Sequence, residues 1–446
     1  MAFSNKKGKE LVGTFIALVL IFFCCLFIWR ACDGFEVASE YIGRNLSEGV
    51  RGGTINAISS SLPELCTTLL ALLLVSGTTG DNENAFAIGI GTTAGSAIFN
   101  GMIIPAFCIL TVVGTVVLGV KVTSVNVSTK VLLRDGLSLI FCELILILFI
   151  NGTRLYWWHG VILMTLYVAY FAYMILSMKT KKQVDEGDDE ETEEDEDDEA
   201  EPGMIGKLFY WLSLGPVLDL ESKFIRDDAT REKIKNEEWN GWPLLLASTA
   251  VIGAACWLLV VGCEWLGSGP EHPFTLFGVT MPPGLNMPVI FVAVIFASMA
   301  TSVPDTVISI RDARDGDYDD AVANALGSNI FDVCFALGFP LFLYTIIFQK
   351  PIEMSELVAT QSAELRFILL VLTVIGFFIY FVGKRTTGQN GMKCVEMKKG
   401  KALLLLLIYF IFASYIIALG FDAGWANGFS DWLRTNVVSN LPRIGS

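Results

Sequence analysis

About ten stretches of this chain are long and apolar enough to cross a lipid bilayer, and that limits the fold before any motif is considered. They fall at about 11–29, 55–75, 85–118, 132–150 and 158–178, then at 244–266, 287–310, 321–348, 367–382 and 402–419. Hydrocarbon offers the backbone no hydrogen-bond partner, so runs of this length close their bonds as helices. The fold class expected is an all-α polytopic membrane protein of about ten transmembrane helices. With 53% hydrophobic and only 17% charged residues among 446, a soluble enzyme is excluded. Lys6, Lys7 and Lys9 precede the first run as they would in a signal peptide. That run is long for one and leads into Arg30-Ala31-Cys32-Asp33 rather than a cleavage site, so it is read as a span.

The runs divide the chain into a five-helix half at 1–178, a polar linker at 179–242 and a second five-helix half at 243–446. The formal net charge of −15 argues against a nucleic-acid partner. It is almost wholly local: residues 185–201 carry fourteen acids and no base. Such a run cannot bury a core and reads as a solvated linker. Residues 205–225 are aromatic-rich and partly amphipathic, suiting either the membrane surface or a loop packed on the bundle. With alternating spans, one set of loops holds 14 Lys and Arg against 8 on the other side, the linker being left out. The positive side faces the cytoplasm, which places both termini outside and the acidic linker inside, in a plasma-membrane protein. Ten cysteines, mostly in apolar runs and without a CxxC, accompany only two histidines. No zinc or disulfide framework and no cofactor is expected.

Self-similarity carries the chemistry. One copy, at about 55–118, reads SSSLPELCTTL and then GSAIFN; the other, at about 288–348, reads MATSVPDTVISI and then GSNIFD. Pro63-Glu64 matches Pro304-Asp305, and Ser96 with Asn100 matches Ser328 with Asp332. The first copy is nine residues longer between acid and serine, which fits a longer hairpin around 76–83. Five spans separate the copies, so they enter the membrane from opposite sides, and inverted repeats place a binding site at their interface. In each, the acid is flanked at four-residue spacing by hydroxyls: Ser60 and Thr68 about Glu64, Thr301 and Ser309 about Asp305. A proline before each acid breaks the helical ladder, which is tolerated in lipid only beside a polar cavity. The donors are all oxygens, the ligand set of hard cations such as Ca²⁺ and Na⁺.

Charge then limits what the site can do. Each carboxylate at the bilayer centre costs at least about 2.5–3.5 kcal/mol, and Glu64, Asp305 and Asp332 are three. An empty ionised site is too costly to reorient, whereas one loaded with a divalent ion, or with several monovalent ions or protons, is not. That favours exchange over uniport.

At these residues the chain resembles the cation/calcium exchanger superfamily, whose two alpha repeats read approximately GTSxPEL and GSNIFN. Glu in the first copy with Asp in the second is similar to the sodium/calcium exchangers, and GSAIFN paired with GSNIFD to their potassium-dependent branch. The resemblance implies Ca²⁺ held by Glu64 and Asp305 with Ser60 and Thr301. It implies Na⁺ or K⁺ sites from Ser61, Ser96, Asn100, Ser302, Ser328 and Asp332, with Thr68, Ser309 and Asn329 as outer candidates. It also implies that spans 1 and 6 slide against a core of spans 2, 3, 7 and 8. Repeat one departs from the pattern at Ser60, where Gly-Thr is usual, and in its hairpin. The linker is too short for calcium-sensing β-domains.

Other readings remain open. Proton coupling, or another divalent ion, would use the same fold. Glu64 and Asp305 could serve an intramembrane aspartyl hydrolase, though no GxGD is present. A channel or sensor is opposed only by the charge argument. GSxxF also suits close helix packing, through Gly95 and Gly327. Glu143, in the fourth run, has no evident counterpart in the ninth and reads as the partner of a nearby base such as Arg134. Of the sequons at Asn45, Asn126 and Asn151, only the last falls on the outer side.

Overall fold

Apolar runs that satisfy their own backbone give the protein its frame of long helices. In the computed structural model, residues 2–42, 57–75, 82–117, 119–182, 204–225, 228–387 and 392–444 are described. The acidic run and residues 76–81 of the expected hairpin lie outside them. The principal helices of the first half are α1 (Ala2–Ile42), α2 (Leu62–Leu70), α3 (Asn82–Ile98), α4 (Thr129–Ile150) and α5 (Trp157–Lys182). The second half contains α6 (Trp242–Gly267), α7 (Val303–Asp315), α8 (Tyr318–Phe331), α9 (Glu356–Phe381), α10 (Lys399–Gly420) and α11 (Gly424–Asn436). Among the described residues six helices are long and apolar enough to cross a membrane, and the bent pair Val289–Thr301 and Val303–Asp315 makes a seventh. Outward faces are apolar, with Phe15, Phe22, Phe141, Leu407 and Phe410 exposed, as a lipid-facing surface requires.

The helices that carry the repeated motifs are interrupted. Ala57–Ser60 stops at Ser61 (φ −93°, ψ 6°) before α2, and Ser298–Thr301 stops at Ser302 (φ −83°, ψ 2°) before α7. The prolines sit in the first turn of the second segment, where a missing N–H costs nothing. The interruption at Ser302 bends the path by 44°. Downstream of α3 and α8, π-helical turns run over Phe99–Ile103 and Asp332–Ala336. Such turns widen a helix locally and gather at functional sites.

Close packing follows from small residues. α1 lies along α6, where Gly34 meets Ser248 and Leu244, and Gly262 meets Ile21. A Cβ at Gly95 would strike the Val294 carbonyl and the Ser298 side chain, so α3 and the Val289–Thr301 segment touch backbone to side chain. Gly327 has only Tyr170 Oη, at 3.7 Å, so its conformity to the motif has no such packing reason.

Several expectations need correction. The fold is not wholly α: short antiparallel ribbons join the halves. Val125–Ser128 pairs with Lys393–Met397 in the register Val125↔Met397, and Arg154–Leu155 pairs with Ile352–Glu353. The ninth helix starts at Glu356, not 367, because Ser355 Oγ caps it by accepting from Val358 N at 3.3 Å. Glu364 and Arg366, which had cut the apolar run short, are therefore inside it and buried. Helix α11 was not anticipated. It is held by Arg434, whose Nε donates to Glu364 Oε2 across 2.6 Å. Asn151 is buried, and its amide donates to the Leu441 carbonyl at 3.1 Å, so it is no glycan acceptor. Residues 204–225 pack in part on the bundle. Arg30 reaches Ser213 and lies 5.4 Å from the Tyr210 ring, while Leu208, Trp211 and Val217 are exposed.

Candidate functional site

The two interrupted helices and the two π-turned helices meet in a closed cluster. Ser60, Ser61, Glu64, Ser96, Asn100, Thr301, Ser302, Asp305, Ser328 and Asp332 all have 0% relative exposure. Glu64 and Asp305 each stand in the first turn of a half-helix, where the macrodipole favours negative charge.

Both copies of the motif make the same bond. Ser96 Oγ donates to Glu64 Oε1 at 3.1 Å, and Ser328 Oγ donates to Asp305 Oδ1 at 2.8 Å. The copies differ one turn further on. Asn100 Nδ2 donates to Asp305 Oδ2 at 2.8 Å. Asp332 holds the matching place opposite Glu64, and there an acid faces an acid with Ser96 Oγ between them, 2.9 Å from Asp332 Oδ2. Ser96 Oγ also accepts from Ser302 Oγ at 3.0 Å and Asn100 Nδ2 at 3.3 Å. A hydroxyl has one proton. It cannot serve both carboxylates, so one of them meets a bare oxygen unless a proton or cation intervenes. Among the described residues, Glu64 Oε2 and Asp332 Oδ1 have no hydrogen-bond partner, nor has the Ser61 hydroxyl. Thr301 faces Glu64, Ser60 faces Asp305, and Ser60 Oγ lies 3.4 Å from Ser328 Oγ. The three carboxylates do not converge on one point. Among the described residues, no three acidic, His or Cys side chains stand close enough to chelate a single ion. Hydroxyl and amide oxygens fill the intervals.

The outer candidates do not join this cluster. Thr68 Oγ1 bonds back to the Glu64 carbonyl at 3.0 Å, and Ser309 Oγ accepts from Asn324 Nδ2 at 3.1 Å. Each lies on the same helix as its acid, one turn further from the interruption, and spends its hydroxyl there rather than in the cluster. Asn329 is adjacent rather than inside: its Nδ2 donates to the Ala97 carbonyl at 2.9 Å and ties α8 to α3. It also lines a small cavity with Gly101, Thr373 and Tyr380.

The expected pairing of Glu143 with Arg134 is wrong. Arg134 grips its neighbour Asp135 in a two-pronged pair at 2.5 and 2.8 Å. Glu143 instead accepts from Thr373 Oγ1 at 3.3 Å, and the charge opposite it is Arg366 of α9. Reading the sequence missed Arg366 and Thr93, which accepts from it. The signal was there: an acid in the fourth run and a base beside the ninth, five runs apart as in the repeated motifs.

The sodium/calcium exchanger protein family matches residues 16–176 and 241–418, both helical halves with the linker left out. The chain belongs to this family. The exchanger is 25% identical over 91% of its length to sodium/potassium/calcium exchanger 5 of Homo sapiens, and the alignment covers 85% of that protein. It is 35% identical to human sodium/potassium/calcium exchanger 3 over 34% of its own length and 22% of that chain. Its fold matches the crystal structure of an H⁺/Ca²⁺ exchanger with a TM-score of 0.55 and 12% identity, across 97% of this chain and 91% of the other.

Proposed function

We propose that this exchanger is a secondary antiporter, not an enzyme, that moves Ca²⁺ against Na⁺ with K⁺ as a co-transported ion. The observation that carries the reading is the Ser96 hydroxyl caught between Glu64 and Asp332 in a site sealed from water. Three buried carboxylates with too few protons to bridge them call for mobile positive charge, and oxygen donors suit Ca²⁺, Na⁺ and K⁺. Relatives named for sodium, potassium and calcium support that choice.

In this reading Glu64, Asp305, Ser60 and Thr301 hold Ca²⁺, while Ser61, Ser96, Asn100, Ser302, Ser328 and Asp332 serve Na⁺ and K⁺. Asp332, which replaces an amide by an acid, is the K⁺ residue. The chain crosses the membrane ten times as two inverted five-helix repeats, 1–178 and 243–446, with 179–242 as a cytoplasmic linker and both termini outside the cell. The ribbon pairings support this alternation. They join the loop after α3 to the loop after α9, and the loop after α4 to the loop that precedes α9. α1 packed along α6 suits a pair that slides against the remaining core while the site stays fixed.

Reconstitution in vesicles tests the proposal. Ca²⁺ uptake should follow an outward Na⁺ gradient and rise with K⁺ on the appropriate side. Uptake that ignores Na⁺ and follows an imposed pH gradient would overturn sodium coupling.

A further inference from the structure

Among the described residues, Arg366 is the largest fully buried side chain, at 1% exposure. A guanidinium carries five N–H donors. Here Nη2 alone is engaged, donating to the Ile90 carbonyl at 3.0 Å and to Thr93 Oγ1, both on α3 and within two turns of Ser96. Among the described residues, Nε and Nη1 have no hydrogen-bond partner. Two carboxylates face the guanidinium electrostatically, Glu143 of α4 more strongly and Asp332 second. Each of them also retains one unpartnered oxygen, Glu143 Oε2 and Asp332 Oδ1.

A pair that only stabilised the fold would be closed, since an uncompensated buried charge is costly. Two other buried carboxylates have an arginine closed on them: Arg134 lies 2.5 Å from Asp135, and Arg434 lies 2.6 Å from Glu364. Arg366 is held open between an acid of the ion site and an acid behind it. We propose that Arg366 is a tethered cation that competes with the transported monovalent ion for Asp332, while Glu143 draws it back. The pair thereby sets the monovalent-cation affinity of the site. The inference rests on the cation-binding reading of the carboxylate cluster. Arg366 acts through Asp332, so it is a positioning and specificity residue rather than an ion ligand.

The test is a thermal-shift titration of the purified full-length protein in detergent, with NaCl or KCl replacing choline chloride at constant ionic strength. Bound ions raise the melting temperature, so the half-saturating concentration reports affinity without requiring transport. Arg366→Gln removes a like charge from beside the ion and should lower that concentration on the order of tenfold. Arg366→Lys, which keeps the charge and loses the fork, should stay near wild type. Glu143→Gln releases the guanidinium toward Asp332 and should raise it. An unchanged half-saturation in Arg366→Gln, or a Lys variant shifted as far as the Gln variant, overturns the proposal. If Arg366→Gln does not fold, Glu143→Gln decides: no increase in half-saturation refutes it. A wild-type protein that no cation stabilises overturns the site and this inference together. Stabilisation that ignores both substitutions removes the inference alone.

Discussion

Asn100 of the first motif donates to Asp305 of the second across 2.8 Å, so the two motif copies are joined inside the carboxylate cluster itself. The amide donates to that carboxylate beside Ser328, with Ser60 also facing it. Asn100→Ala leaves Asp305 short of a charge-assisted bond worth about 1.5–3 kcal/mol. The Ca²⁺ concentration for half-maximal uptake should change at least about tenfold, measured in reconstituted vesicles.

In the proposed exchange cycle, Glu64 and Asp305 provide the charge that makes an empty site too costly to reorient. Glu64→Gln and Asp305→Asn should each abolish Ca²⁺ uptake while leaving the protein folded, as checked by size-exclusion chromatography. Uptake that survives both would remove the site.

Asp332 stands where its counterpart is an amide. Asp332→Asn should abolish any K⁺ requirement for Ca²⁺ uptake and preserve the response to the Na⁺ gradient. The comparison is initial uptake rate with KCl against the same rate with choline chloride.

Gly95 and Gly327 occupy one motif position but differ in surroundings. A methyl group at Gly95 meets the Val294 carbonyl, and at Gly327 it meets only ordinary contact. Gly95→Ala should cost about 1–3 kcal/mol through overpacking, whereas Gly327→Ala should be close to neutral. Melting temperatures in one detergent distinguish them.

Arg434 closes on Glu364, which Tyr415 and Ser430 also bond at 2.8 Å each. Arg434→Ala should cost about 1.5–3 kcal/mol, the worth of a hydrogen bond to a charged group. Arg154→Ala, at the exposed pair with Glu353, should cost under about 1 kcal/mol. Thermal melts check both, and equal losses would contradict the burial argument.

The motif copies were legible because their chemistry is local. A proline beside an acid inside an apolar run, repeated with hydroxyls at fixed spacing, needs no tertiary information to be noticed. Glu364 and Arg366 show the limit of that method. A hydropathy window treats a charge as the end of a span, whereas a buried network makes the same charge part of the interior.

By itself the sequence determined a many-helix membrane frame, because the backbone in hydrocarbon has no other means of satisfying its bonds. It also singled out the repeated residues that carry the carboxylates. Only the tertiary structure decided which partners those acids have: Ser96 between Glu64 and Asp332, Asn100 on Asp305, Thr68 and Ser309 turned elsewhere, and Arg366 rather than Arg134 facing Glu143. The reason is geometric. The side-chain contacts of the acids cross between helices up to 236 residues apart, and helix breaks at Ser61 and Ser302 with π turns after α3 and α8 set their directions. Neither spacing nor composition records such rotations.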